Sequence, residues 1–92
     1  MALSEIGRSV IAILAAQALV DPAGMRESDR LEEFGLDSLG LVEAIFAIEE
    51  RFDIQVPFNP NEPDQAGPGD LDVSTVGGII RGIEALIAAK AP

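Results

Sequence analysis

Cysteine, histidine, tryptophan and tyrosine are all missing from this 92-residue chain, and lysine occurs once, at Lys90. Without histidine or cysteine, neither a Ser-His-Asp nor a Cys-His nucleophile can be assembled, and ordinary zinc sites lose their usual ligands. The same lack of cysteine excludes a disulfide framework, in agreement with a reducing cytoplasm. No glycine-rich loop precedes a lysine, so a phosphate-cradling nucleotide site is excluded as well. The aromatic residues are Phe34, Phe46, Phe52 and Phe58. Without basic neighbours they make no stacking platform for nucleic acid. Positive charge is scarce: six basic residues against sixteen acidic ones leave a formal net charge of −10. Such a balance disfavours nucleic acid and anionic membrane surfaces, and favours partners with basic faces.

Long apolar runs are absent too, and none reaches the length of a membrane span. The stretch Val10-Ile11-Ala12-Ile13-Leu14-Ala15, followed by Ala16-Gln17-Ala18, mimics the apolar region and cleavage site of a secretory signal. Glu5 and Arg8 make a poor basic flank for it, however, and Leu3, Ile6, Val10, Ile13 and Leu14 form one amphipathic face. We read a core helix over about Leu3 to Ala18. Asp21-Pro22-Ala23-Gly24 should end it, since proline cannot continue a helix and glycine favours departure from one.

From Asp21 to Asp37 no period is sustained, and connections of this length usually have a role or pin themselves to the core. Leu31 and Phe34 are expected to be buried, with a short helical turn over Arg30 to Phe34. The strongest helix then runs from Ser38 to about Phe52, with Gly40 its one poor helix former. Its apolar residues fall into two stripes: Leu41, Ala44, Ile45, Ile48 and Phe52 on one side, and Leu39, Val42 and Phe46 nearly opposite. The first stripe faces a core. The second, sharing its side with Glu43 and Glu50, is expected to be exposed for partner docking, because charged groups are rarely fully buried without partners.

Asp53 to Phe58 alternates like a strand, but no second strand exists to pair with it, so Ile54 and Val56 are expected to plug the core from an extended connection. Asn59 to Asp70, rich in Pro, Gly and acids, has the composition of a mobile loop. Ser74 or Thr75 then caps a last helix, whose Val76, Ile79, Ile80, Ile83, Leu86 and Ile87 follow helical spacing. Gly77, Gly78 and Gly82 lower its intrinsic helicity and suit close approach of helices.

Chemistry concentrates where the second helix begins. Asp37 sits where an N-cap belongs, and Ser38 follows just inside. A helix N-terminus favours an anion such as a phosphate ester, so Ser38 is placed to carry a phosphodiester. Ten acidic residues and three basic ones lie between Asp21 and Asp53, clustering negative charge around it. The acidic pairs Glu32-Glu33 and Glu49-Glu50 point about 100° apart on a helix, which suits a solvated face better than acid–base work. The acids from Asp64 to Asp72 lack the ligand order of an EF-hand.

Leu36-Asp37-Ser38-Leu39, together with Val42-Glu43, Ile48-Glu49-Glu50-Arg51-Phe52-Asp53 and Val56-Pro57, resembles the acyl carrier proteins. The resemblance runs from about Leu3 to Ile87. It implies an all-α fold: a small bundle of three main helices, with room for a short third helix between the second and the last, for which Glu62 to Ala66 is the candidate. It further implies one carrier domain over residues 1–92 that is not an enzyme. Ser38, beside Asp37, would receive 4'-phosphopantetheine from coenzyme A through a phosphopantetheinyl transferase, and the terminal thiol of the arm would carry an acyl group as a thioester. Leu39, Val42, Glu43, Phe46, Glu49 and Glu50 would dock acyl-transfer and biosynthetic enzymes of fatty-acid, lipid or polyketide synthesis. A cytoplasmic monomer without metal is the expected form. The expected core is Ile6, Val10, Leu14, Leu31, Phe34, Leu41, Ile45, Ile48, Phe52, Ile79, Ile80 and Ile83. An aminoacyl or peptidyl carrier shares the serine arm, although Asp37 rather than His before the serine favours acyl cargo. An acidic helical interaction module in which Ser38 only caps a helix is the reading of a different class.

Overall fold

A computed structural model of the chain describes residues 4–57 and 72–90. Three α-helices stand among the described residues: α1 (Glu5–Ala18), α2 (Ser38–Phe52) and α3 (Val76–Lys90). Short 3-10 turns at Pro22–Gly24 and Leu31–Phe34 lie between α1 and α2. No β-strand forms among the described residues, only an isolated antiparallel bridge between Arg30 and Thr75. The all-α expectation holds. The candidate short helix at Glu62 to Ala66, and the loop from Asn59 to Asp70, lie outside the described residues.

Each helix starts on a side chain that satisfies an orphan backbone donor. Ser4 Oγ accepts from Gly7 N at 3.0 Å and also donates to Glu84 on α3 at 2.7 Å, so one hydroxyl both caps α1 and ties it to a neighbour. Asp37 caps α2. At α3 the capping side chain is that of Thr75, whose Oγ1 accepts from Gly78 N at 3.0 Å. Asp72 organises the turn before it: its carboxylate accepts from Ser74 N at 3.0 Å and Ser74 Oγ at 2.6 Å. Those two bonds, with Arg81 contributing, hold the Asp72 carboxyl below the usual aspartate range.

The helix α1 packs against both α2 and α3. The closed centre is built of Val10, Leu14, Ala44, Ile45, Ile48, Val76, Ile79 and Ile83, all with no accessible surface. Most of the expected core is there, Ile80 included, and Ile11, Ala15, Met25 and Val73 join it. Ile6, Phe34 and Phe52 are half-buried at its edge rather than inside. For Phe34 this corrects the expectation of full burial: it closes the 3-10 turn on the rim, while Leu31 alone of that turn enters the core. After α2, Val56 is buried and Ile54 half-buried, as an extended connection plugging the core requires.

The end of α1 falls at Ala18 as expected, but a different device produces it. The helix stops at Ala18, before Pro22 and Gly24 come into play, because Leu19 adopts a left-handed conformation with φ 60° and ψ 41°. Leu19 N donates to Ala16 O at 3.3 Å and Val20 N to Ala15 O at 3.0 Å, the paired bonds of a Schellman cap. Pro22–Gly24 form a separate 3-10 turn capped by Asp21.

Gly77 and Gly78 of α3 serve a backbone contact rather than a helix contact. The segment 27–31 runs over the start of α3, with Val76 N donating to Asp29 O at 3.0 Å, Gly77 N to Glu27 O at 2.8 Å and Leu31 N to Ser74 O at 3.3 Å. A Cβ on Gly77 would stand 3.0 Å from Glu27 O, and one on Gly78 would stand 2.8 Å from Asp72 O. Only glycine admits backbone that close. The result is that the connection leading to Ser38 is pinned to the start of α3 over residues 27–31. At the other end of α3, Lys90 Nζ bonds the backbone and carboxylate oxygens of Asp53, the left-handed residue that ends α2.

Candidate functional site

The site is assembled by two successive local structures. Gly35, at φ 75°, ends the Leu31–Phe34 turn and swings the chain so that Leu36 reaches the core edge and Asp37 meets the start of α2. Asp37, in extended conformation, then caps α2: its Oδ1 accepts from Gly40 N at 2.8 Å and its backbone O from Leu41 N at 2.9 Å. Ser38 follows as the first residue of α2, with its side chain exposed. First-turn N–H groups have no intrahelical acceptor, and the helix dipole adds positive potential there. A phosphoester oxygen is well received at such a position.

An open groove of about 450 Å³ borders Ser38, lined by Arg30, Leu31, Glu32, Leu36, Asp37, Leu41, Val73 and Ser74. Its floor is apolar, from Leu31, Leu41 and Val73. Its rim carries Arg30, whose Nε lies 3.1 Å from Glu32 Oε1. On the opposite side of Asp37, a second groove of about 350 Å³ runs between the end of α1 and the start of α2. Sequence reasoning did not find Arg30 or Ser74 on the groove beside Ser38, because both come from connections whose course is set by tertiary contacts rather than by a period.

The residues expected to dock partners are split by the structure into two groups. Leu39 is 67% exposed and Phe46 53% exposed, large apolar side chains open to approach, with Val42 half-buried between them. Glu50 is exposed. Glu43 is exposed and accepts from Gln17 Nε2 at 2.8 Å, which ties α2 to α1. Glu49 is half-buried, and its carboxylate accepts from Val56 N at 2.8 Å. That bond anchors the connection after α2. No group of three or more His, Cys, Asp or Glu able to hold a metal occurs among the described residues. No helix among them is long and apolar enough to cross a membrane.

The geometry defines a helical domain with an exposed serine in the first turn of α2. A family described as "Phosphopantetheine attachment site" matches residues 8–59, which include Ser38. An acyl carrier protein of Prochlorococcus marinus is 34% identical over 86 residues, covering 92% of this chain and 96% of that one. Acyl carrier proteins of Wolinella succinogenes and a Sulfurovum strain are 33% and 37% identical over 73 residues, each over 78% of this chain and 84% and 85% of theirs. No solved structure matches the chain significantly. The chain belongs to the acyl carrier protein family: it is a carrier rather than an enzyme, and its covalently attached cofactor is 4'-phosphopantetheine. The residues present fit that group, since an exposed hydroxyl in the first turn of α2 opens beside a groove with an apolar floor. When attached, it supplies the thiol that the cysteine-free chain lacks.

Proposed function

We propose that Ser38 is the attachment residue and that the chain carries acyl groups for fatty-acid, lipid or polyketide synthesis. The observation that supports this most is the pairing of Asp37 and Ser38: the capping bond to Gly40 N occupies Asp37 and leaves the neighbouring hydroxyl exposed at the positive end of α2. Ser4 and Ser74, by contrast, spend their hydroxyls on Glu84 and Asp72. In the loading step Ser38 Oγ forms a bond to the phosphorus next to the pantetheine arm of coenzyme A. The diphosphate P–O bond breaks, the adenosine bisphosphate leaves with its electron pair, and the serine proton passes to a base of the transferase.

The stripe of Leu39, Val42 and Phe46, with Glu43, Glu49 and Glu50, is the docking face on this reading. Partners bring an apolar patch with a basic rim. The whole of residues 1–92 acts as one carrier domain and as a monomer, because one chain closes its own core. Its place is the cytoplasm, where coenzyme A is supplied to it. Loading with transferase and coenzyme A, followed by intact mass, tests the assignment: wild type gains one phosphopantetheinyl group and Ser38→Ala gains none. A mass gain that survives Ser38→Ala overturns it.

A further inference from the structure

Leu19 is the most exposed large apolar residue among those described, at 91% accessible, and it is also one of two non-glycine residues with positive φ. The position is the left-handed residue of a Schellman cap, where glycine or asparagine sits without cost and leucine does not. A leucine there is unfavourable twice, for its backbone and for its wetted side chain, and neither cost is recovered within the fold. It borders the second groove, together with Gln17, Phe34, Asp37, Leu39 and Glu43. The Gln17–Glu43 hydrogen bond at 2.8 Å joins the two walls and fixes their spacing. Leu19 and Leu39 thus make an apolar pair across one groove, with Asp37 and Glu43 as its acidic border.

We propose that Leu19 extends the docking surface from the Leu39 end of the α2 stripe onto α1, and that the groove between them receives an apolar side chain of the phosphopantetheinyl transferase, flanked by basic residues of that enzyme. The inference rests on the reading of Ser38 as the modified residue, since Asp37 places the groove directly beside it. Charge complementarity selects the occupant: the groove's charged residues are Asp37 and Glu43, on a chain of net charge −10. An enzyme that reaches Ser38 over Asp37 has to cover Leu39, and Leu19 extends the same apolar surface onto α1. Apolar anchors of this kind set the dissociation rate, while the acidic border guides encounter.

The special backbone of Leu19 makes the test clean. Leu19→Asn and Leu19→Gly both remove the side chain while relieving the left-handed backbone, so a purely structural role predicts equal or higher melting temperature and unchanged binding. The proposal predicts that melting temperature holds or rises while the dissociation constant for a purified broad-specificity transferase increases roughly fivefold to tenfold. Binding is measured by anisotropy in a Ser38→Ala background, so that the outcome does not depend on which serine is modified. A dissociation constant within twofold of the parent for both variants overturns the proposal, as does a parent chain that the transferase does not bind. Failure of the Ser38 assignment would show separately, as a mass gain in the Ser38→Ala chain.

Discussion

At the scale of single residues, Asp37 and Ser38 divide two tasks that lie one position apart. Asp37 spends its carboxylate on Gly40 N at 2.8 Å, and the helix start so fixed holds the Ser38 hydroxyl at its positive end. Asp37→Ala should therefore destabilise the fold by roughly 1 kcal/mol, the usual worth of an N-cap, and Asp37→Asn should restore most of it. Chemical denaturation of the three proteins checks this; equal midpoints would show that the cap contributes nothing. The cap was legible in the sequence because it is local: an Asp stands immediately before a periodic run. Leu19 was not, since nothing in a leucine side chain announces a left-handed backbone, and Pro22 and Gly24 offered another reason for the helix to end at Ala18. The single lysine was misleading in another way. Its place near the end of the chain gave no hint that it would tie α3 to the last turn of α2 through Asp53.

At the scale of elements, α2 carries two faces with different duties, and its bounds and stripes followed from sequence because period and cap agree. Leu41, Ala44, Ile45 and Ile48 are buried, whereas Leu39 and Phe46 are exposed. Truncation should separate them. Ile48→Ala, at a site with no accessible surface, should cost about 2–5 kcal/mol, and Phe46→Ala less than about 1 kcal/mol while weakening transfer from partner enzymes. Thermal unfolding that drops as far for Phe46→Ala as for Ile48→Ala would rule out the docking role of that face. The start of α3 was less legible. Its glycines suggested helix-to-helix approach, but the backbone that Gly77 and Gly78 admit belongs to Glu27 and Asp72. Pairing of a connection with a helix start is a long-range arrangement of peptide groups, and no side-chain period encodes it.

For the molecule as a whole, charge and closure set the terms on which partners meet it. A net charge of −10 with acids gathered along the approach to Ser38 makes encounter with basic surfaces electrostatic. Loading rates should fall steadily as salt rises above physiological strength, where screening acts over about 8 Å, and Glu43→Lys should slow loading at low salt and flatten the dependence. Rates that stay flat for both proteins would contradict this. The all-α class and the carrier family were readable from Leu36-Asp37-Ser38-Leu39 and its flanks, whereas the two grooves that meet at Asp37 exist only once the connections have been folded against α1 and α3. The central claim is that one serine, set by its helix position, bears the prosthetic group. Peptide mapping of the loaded chain by tandem mass spectrometry tests it most directly. The account predicts the whole adduct on Ser38, with Ser4, Ser9, Ser28 and Ser74 unmodified; an adduct on any of those four, or none at Ser38, would contradict it.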